Sequence, residues 1–225
     1  MGHKGADHVA PGNTLESFEA ALEHGVDMIE FDVLRTRDGR LVLAHDYEDA
    51  ETRECVTLED GLAHFAGEAY TGVELDVDMK LPGYEREVAE GLARHGLVER
   101  SLVSTMYPES LDVLRELEPG LRRGWSVPRV RRNYLRAPLY VRLPVYAVAL
   151  YMRARLPGQA AARLRARGCE AIMVHQILVS GRLVRAVHAA GGQVYVWTVD
   201  DAPKIRALET LGVDGVITND PRLFD

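Results

Sequence analysis

The stretch from Met28 to Leu34 constrains this chain most, because it alternates apolar residues with two carboxylates at a period of two. That period is typical of a β-strand, in which Glu30 and Asp32 point to the same face. Two carboxylates on an otherwise apolar strand repel each other and are costly to desolvate unless a cation or a proton lies between them. Because carboxylate oxygens suit hard divalent ions, the pattern favours a Ca²⁺ or Mg²⁺ site. The alternative is an exposed acidic strand.

A hairpin is predicted immediately after this strand. Asp38-Gly39 is a strong two-residue turn signal, and the run from Leu41 to Ala44 is typical of a returning strand. A turn centred on Asp38-Gly39 would pair Asp32 with His45, which places an imidazole beside the predicted cation. The alternative is a histidine on the surface.

A second alternating stretch, residues 72–80, puts four charged residues on one side of a strand: Glu74, Asp76, Asp78 and Lys80. Three acids and a lysine on one side of a strand need mutual pairing or a cation. Glu74 alone could be satisfied by a salt bridge inside a barrel.

Composition and charge narrow the class of protein. At 225 residues and 47% hydrophobic, the chain can bury a full core as one domain over residues 1–225. The net charge of −7 argues against a general nucleic-acid binder. Cys55 and Cys169 have no redox or metal-ligand spacing, and no basic-then-apolar leader precedes the first motif, so we expect a cytoplasmic protein.

An arginine-rich segment interrupts this acidic chain. Residues 122–167 hold twelve arginines, no lysine and no acid, and so carry a charge of +12. Because the net charge of the whole chain is −7, the rest of the chain carries −19. Within it, Leu143 to Met152 is uncharged, but a bilayer span needs ~20 apolar residues. Three interpretations stay open: a helical insertion whose arginines pair with the acids of residues 46–70, a segment lying on an anionic membrane, or a lid that attracts an anionic substrate.

Several motifs follow one another at characteristic intervals, namely His3-Lys4-Gly5, Pro11 to Thr14, Glu30-Phe31-Asp32, His45-Asp46, Val77 to Lys80, Val196 to Val199 and Val216 to Pro221. Together they resemble the glycerophosphodiester phosphodiesterase family, whose members carry His-Arg-Gly, Pro-Glu-Asn-Thr, Glu-x-Asp and His-Asp in this order. The resemblance brackets nearly the whole chain.

The resemblance implies an α/β fold, a TIM-type (β/α)8 barrel. Nine strand candidates occur, and assigning Leu41 to Ala44 to the hairpin leaves the eight parallel strands that a closed barrel needs. We expect a hairpin after strand two, a small excursion at about 46–70 and the Arg-rich insert at about 122–167. Only Met1-Gly2 precedes His3, so either the native chain begins upstream or the barrel closes with a very short first strand.

The first helix is predicted to start with Asn13 as its N-cap and Glu16 in a capping box, and to end at Gly25.

The resemblance assigns functional roles to eight positions of this chain: catalytic His3 and His45, metal ligands Glu30, Asp32 and Asp78, and substrate-binding Lys4, Lys80 and Trp197. The alternatives are a solvated loop position for Lys4 and core packing for Trp197. Lys4 stands where the family has Arg, and Asp78 stands where it has Glu. A metal would neutralise the phosphodiester, one histidine would deprotonate the attacking hydroxyl, and the other would protonate the leaving alcohol.

Three functions follow as hypotheses. The first is metal-dependent hydrolysis of glycerophosphodiesters to glycerol 3-phosphate and an alcohol, with Ca²⁺ or Mg²⁺ as cofactor, which makes the protein a phosphoric diester hydrolase. The second is lysophospholipase D type hydrolysis of lysophospholipids by a protein peripheral to the membrane, which the Arg-rich insert supports. The third is a non-catalytic phosphoester-binding barrel, motivated by the short first strand and by Lys4, Asp78 and Asn219, each of which departs from the family pattern.

Overall fold

The chain forms a curled, mostly parallel sheet wrapped by helices, as seen in a computed structural model that describes residues 1–129 and 139–224 and, within 139–145, only the backbone. The strands are β1 (Met28–Arg35), β2 (Leu41–Val42), β3 (Glu74–Met79), β4 (Ser101–Thr105), β5 (Arg122–Val127), β6 (Ala171–His175), β7 (Gln193–Trp197) and β8 (Gly215–Val216). The helices are α1 (Leu15–Glu23), α2 (Tyr47–Thr52), α3 (Leu58–Phe65), α4 (Glu85–Arg94), α5 (Pro108–Leu117), α6 (Leu139–Arg165), α7 (Gly181–His188) and α8 (Ala202–Leu211).

The parallel strands close into a barrel through the first residues of the chain. The sheet order is β2-β1-β3-β4-β5-β6-β7-β8, and every pairing is parallel except that of β1 with β2. Gly2 makes parallel bridges to both Ile29 and Thr218, so it joins the two edges of the sheet. In the described residues, seven parallel strands and this short segment fill the eight positions of the predicted (β/α)8 barrel, which is confirmed.

The hairpin after β1 exists, but its predicted register is wrong by one residue. Leu34 pairs with Val42 and Arg35 with Leu41, which would extrapolate to Asp32 opposite Ala44 and not His45. The turn holds three residues between the hydrogen-bonded positions 36 and 40, and Gly39 takes a φ of +92°. A two-residue turn was therefore the wrong type for this sequence.

The predicted N-cap of α1 is also wrong. Thr14 is the N-cap, and its capping-box partner is Ser17, not Glu16. Asn13 instead adopts a φ of +59°, a conformation that asparagine tolerates better than most residues. Its side chain turns away from the helix and hydrogen-bonds to Asp32 in the barrel.

The outer face of β1 packs against α1 and α3. The Phe65 ring of α3 lies 4.7 Å from that of Phe18 and 5.0 Å from that of Phe31, measured between centroids. Such aromatic pairs contribute about 0.5–1.5 kcal/mol beyond burial. This contact anchors the excursion after the hairpin, and because side chains alternate along β1, it leaves Glu30 and Asp32 facing the barrel interior.

The arginine-rich segment continues from β5 into a helix that is much longer than its neighbours. Helix α6 has 27 residues, whereas α4, α5, α7 and α8 have 8 to 10. Leu156, Ala160 and Leu164 are buried against the barrel, while Leu150 and Tyr151 are exposed.

The ion pairs of this segment differ from the predicted ones. In the described part of the chain they join Arg122 to Glu74, Arg123 to Glu170 and Arg163 to Asp112. The predicted pairing with acids of residues 46–70 is therefore wrong for the described arginines. The predicted salt bridge of Glu74 is present, but the Glu74 side chain is 42% exposed, so the pair is not enclosed in the barrel interior. No helix among the described residues is long and apolar enough to cross a bilayer.

Candidate active site

Two neighbouring strands bring the acidic residues together at the carboxyl end of the barrel. The parallel register of β1 and β3 sets Glu30 beside Asp76 and Asp32 beside Asp78. Since residues two apart share a face, all four carboxylates line the interior at two levels. Active sites of such barrels lie at the carboxyl ends of the strands.

Three of these carboxylates form a compact cluster, which we call the acidic triad: Glu30, Asp32 and Asp78. One oxygen from each lies within 4.8 Å of the others. Glu30 and Asp32 are buried, at 4% and 0% exposed, so their mutual repulsion is weakly screened by water.

Lys80 is the internal countercharge of the triad. Its Nζ lies 2.5 Å from Asp78 Oδ2 and forms an ion pair with Asp32. Burial by itself would raise the pKa of Asp32, but the Lys80 ammonium, with a smaller effect of His45, holds that pKa well below its usual range. Burial opposes the charged form of Lys80, yet Asp32 and Asp78 raise the pKa of Lys80 well above its usual value.

Glu30 shows that one ammonium does not balance the cluster. Burial and then the charge of Asp32 raise the pKa of Glu30 well above its usual value. A divalent cation bound by Glu30 would displace this proton into the solvent and take its place as the countercharge. Three carboxylate donors within 4.8 Å of one another fit a hard ion such as Ca²⁺ or Mg²⁺.

His3 lies beside the triad, and a hydrogen-bond chain fixes its tautomer. Its Nε2 is 3.9 Å from Glu30 Oε2, and its Nδ1 is 2.5 Å from Asn219 Oδ1. Asn219 Nδ2 donates to Asp200 Oδ2 at 2.7 Å and its backbone N–H donates to Asp200 Oδ1 at 2.8 Å. The Asn219 oxygen therefore accepts from His3 Nδ1–H, which leaves Nε2 to accept a proton.

The charge state of His3 agrees with that role. Burial lowers the pKa of His3 below 6.5, although Asp32 and the Asn219 hydrogen bond partly counteract it. The neutral imidazole is thus favoured near neutrality, with Nε2 on the side of the acidic triad.

His45 lies at the rim and is not drawn into the cluster. Its side chain is 51% exposed, and its Nδ1 is 3.1 Å from Asp46 Oδ2. Its charge still lowers the pKa of Asp32, after the larger effects of burial and Lys80. The two predicted catalytic histidines therefore occupy different environments, one enclosed and one open to solvent.

The remaining predicted substrate contacts lie around the mouth. The backbone N–H of Lys4 donates to Glu30 Oε2 at 2.8 Å, while its Nζ is 3.8 Å from Asp7 Oδ2. Trp197 ends β7 and packs edge-on against His175, with 4.9 Å between the ring centroids.

Sequence reasoning missed Asn13, which supports Asp32 directly. Asn13 Nδ2 donates to Asp32 Oδ2 at 2.8 Å, and Asn13 Oδ1 accepts from the Asp32 backbone N–H at 3.0 Å. The asparagine is fully buried and orients the carboxylate. The sequence offered one signal for this role: Thr14 is itself a good N-cap residue, which leaves the Asn13 side chain available for another contact. The pairing of Asn219 with Asp200 was missed as well, because no local pattern marks it.

Asp76 lies level with Glu30 and one level deeper than Asp32 and Asp78. Burial, and then the charge of Asp78, raise the pKa of Asp76 to about 8. Its Oδ1 has no hydrogen-bond partner within the described residues. Asp76 is therefore largely protonated at neutral pH, unlike Asp32.

The sequence is similar to known proteins over nearly its whole length. The sequence model described as the glycerophosphoryl diester phosphodiesterase family matches residues 3–79 and 50–223. A glycerophosphodiester phosphodiesterase of Caldanaerobacter subterraneus subsp. tengcongensis is 26% identical over 98% of this chain and 93% of its own length. One from Arabidopsis thaliana is 28% identical over 99% of this chain and 70% of its own length.

Solved structures agree in fold. A structure from Silicibacter pomeroyi superposes with a TM-score of 0.77 at 22% identity, over 99% of this chain and 90% of that one. A phosphodiesterase of Oleispira antarctica, solved in complex with the product sn-glycerol-3-phosphate, gives a TM-score of 0.70 at 22% identity, over 98% and 92%. The family match spans nearly all of the sequence and both sides of the site, so the chain belongs to the glycerophosphoryl diester phosphodiesterase family, a family of phosphoric diester hydrolases.

Proposed function

We propose that this protein hydrolyses glycerophosphodiesters to glycerol 3-phosphate and an alcohol, with a divalent cation held by Glu30, Asp32 and Asp78. The observation that carries the proposal is the acidic triad: one oxygen of each carboxylate lies within 4.8 Å of the other two, beside a histidine whose tautomer is fixed. The product-bound relative from Oleispira antarctica supports a glycerol phosphate as the bound group. The cation, when bound, would neutralise non-bridging phosphate oxygens and orient the phosphorus, an effect that can supply several kcal/mol.

The protein's own groups would divide the remaining work. His3 accepts a proton at Nε2 from the attacking hydroxyl, because its Nδ1 is committed to Asn219 and burial keeps the ring neutral. His45 would donate a proton to the departing alcohol from the open rim, where an alcohol of any size can leave. Each proton transfer is worth ~10²–10⁴-fold in rate.

Positive side chains would hold the anionic substrate. Lys80 is within reach of two triad carboxylates and shares the countercharge with the cation. Lys4 reaches Asp7 and can redirect its ammonium to a phosphate oxygen, since the Nζ–Oδ2 distance of 3.8 Å denotes a loose pair. Trp197 offers a flat apolar face for the glycerol or the alcohol.

The test is release of glycerol 3-phosphate from a panel of glycerophosphodiesters in Ca²⁺, Mg²⁺ or chelator. We expect metal-dependent release that His3→Ala and His45→Ala each reduce by ~10²–10⁴-fold. His24→Ala is the matched control, because His24 is an exposed histidine at the end of α1 and outside the site. Release that survives chelation would remove the cation from the proposal. No release under any condition would favour the non-catalytic phosphoester-binding barrel.

A second substrate class is supported by one observation. The exposed apolar residues of α6 suit contact with acyl chains, which favours lysophospholipids hydrolysed by a lysophospholipase D type reaction. Offering lysophosphatidylcholine and glycerophosphocholine in competition would rank the two classes by their kcat/KM values.

A further inference from the structure

Helix α6 carries its additional turns on the active-site side of the barrel. A crossover helix runs antiparallel to the strand before it, so the amino-terminal end of α6 lies near the carboxyl ends of the strands. The fully buried part, Leu156 to Leu164, is as long as a neighbouring helix, and Ala149 and Met152 before it are partly buried against the same core. At 1.5 Å per residue the whole helix is ~40 Å long, which places its first turns beyond that part and toward the mouth.

These turns expose apolar side chains. Val148, Leu150 and Tyr151 are 57%, 67% and 64% exposed. Val148 and Tyr151 stand three positions apart and share a helix face, while Leu150 flanks it. Single exposed apolar residues are ordinary, but a contiguous group on the outside of a helix marks an interaction surface. We call residues 146–155 the arm.

The arm is also cationic and contains no acid. Arg153 and Arg155 are exposed, and the described residues form no ion pair with either one. The Arg155 guanidinium lies 5.8 Å from the centre of the Tyr151 ring. Outside residues 122–167 the chain carries a net charge of −19, so an excess of positive over negative side chains occurs in this segment and not in the rest of the chain taken together.

Aliphatic and tyrosine side chains bordered by arginines match the chemistry of an anionic bilayer surface. The apolar groups enter the boundary between headgroups and acyl chains, and the arginines remain at the lipid phosphates. Each basic residue near such a surface adds ~1 kcal/mol. A nucleic acid would match the arginines but not Val148 and Leu150.

We propose that the arm docks on an anionic lipid bilayer and turns the barrel mouth toward it. This rests on the proposed function, because it gives the hydrolase access to phosphodiesters at a membrane surface. The helix lies along the interface and does not cross it.

The experiment is co-sedimentation of the full chain with vesicles of phosphatidylcholine alone or mixed with phosphatidylglycerol, at about 0.15 M salt. We expect binding only to the anionic vesicles. Arg153→Glu with Arg155→Glu is expected to weaken it by at least 30-fold, given ~1 kcal/mol per basic residue removed. Leu150→Ser with Tyr151→Ser removes the apolar contact and is also expected to release the protein.

The matched control is Arg165→Glu with Arg206→Glu. This pair changes the net charge equally and alters two exposed arginines outside the arm, on α6 and α8. Binding of the control like wild type supports the proposal. Three results would each overturn it. Wild type could remain in the supernatant with anionic vesicles, the arm variants could bind as strongly as wild type, or the control could lose as much binding as the arm variants. An arm-dependent dimer in light scattering would overturn it in favour of a second copy of the chain.

Glycerol 3-phosphate release from soluble glycerophosphocholine separates the two proposals. We expect this release to be unchanged in both arm variants, because the arm lies outside the site. Suppose that neither wild type nor any variant releases product, but that the arm substitutions still weaken vesicle binding. The proposed function is then wrong, and the docking surface is supported.

Discussion

At the scale of single residues, the tautomer of His3 depends on an amide 216 positions further along the chain. Asn219→Ala removes the acceptor for Nδ1–H and frees the ring to rotate or to take the other tautomer. We expect kcat to fall by about 10-fold or more, less than the ~10²–10⁴-fold expected for loss of His3 itself, with KM little changed.

The pH profile of the same variant tests the mechanism. Burial lowers the pKa of His3, and the Asn219 hydrogen bond partly raises it again. Without that bond the pKa falls further, so the acidic limb of kcat/KM should move to lower pH. A merely structural role for Asn219 would lower activity and leave the limb in place. Asp200→Asn should reproduce the shift in weaker form, since it loosens Asn219 without removing it.

Asp76 gives the metal-free protein a pH-dependent stability. Its pKa is about 8 when folded and near 3.8 when unfolded, because burial and then Asp78 disfavour the charged form. Between these two pH values the folded state binds a proton on Asp76 that the unfolded state has lost. The contribution of Asp76 to the free energy of unfolding is therefore greatest below pH 3.8 and is lost as the pH rises toward 8. Asp76→Asn removes the titration.

We therefore expect the unfolding free energy of Asp76→Asn, relative to wild type, to increase from about pH 4 to about pH 8 and then to level off. The increase can reach about 1.4 kcal/mol per pH unit. Urea unfolding in chelator, at several pH values, measures it. Parallel curves for the two proteins would show that Asp76 is already ionised in the folded state.

At the scale of elements, α6 contains two parts with different energetics. Leu156 is 2% exposed in the core, whereas Leu150 is 67% exposed in the arm. Leu156→Ala is expected to destabilise the protein by about 2–5 kcal/mol, because it leaves a cavity. Leu150→Ala, the same change on the same helix, should stay within about 0.5 kcal/mol. Urea unfolding compares them directly, and a large loss in Leu150→Ala would mean that the Leu150 side chain packs onto the barrel.

The strands show how far local pattern predicts structure. The period of two along β1 correctly predicts that Glu30 and Asp32 share the inner face, because burial of one face strongly specifies side-chain direction. The predicted hairpin register was wrong, because the register depends on the type of turn at Gly39. The same residues, Asp38 and Gly39, can form either a two-residue or a three-residue turn, so the sequence does not distinguish the two types. The one-residue error moves His45 away from the position opposite Asp32.

At the scale of the whole molecule, the order of motifs predicts the barrel, and the acidic triad follows from two strands whose spacing is visible in the sequence. The supports of the site do not follow in the same way. Asn13 and Asp32 are joined across two elements, and His3 and Asn219 meet only because the barrel closes. Such contacts depend on tertiary geometry and leave no periodic signal.

Closure itself depends on Gly2, which bridges Ile29 and Thr218 and precedes His3. A Cβ at this position would lie 2.2 Å from the Gly5 carbonyl oxygen and 3.3 Å from Ala21 Cβ. The oxygen belongs to the backbone and cannot rotate away, so the short segment around Gly2 would have to shift.

Gly2→Ala is therefore expected to destabilise the protein by about 1–3 kcal/mol, the usual effect of overpacking. Because the shift carries His3 with it, glycerol 3-phosphate release should fall more steeply than stability, by up to ~10²-fold for a 1 Å displacement. Gly158→Ala is the matched control: apart from its chain neighbours and its own helix backbone, no atom of the described residues lies within 4 Å of the added Cβ. In a helix the change should stabilise by about 0.5–1 kcal/mol. Thermal unfolding and product release are measured on both variants. Full activity in Gly2→Ala would mean that the position of His3 is set by Asn219 and Glu30 and not by closure of the barrel.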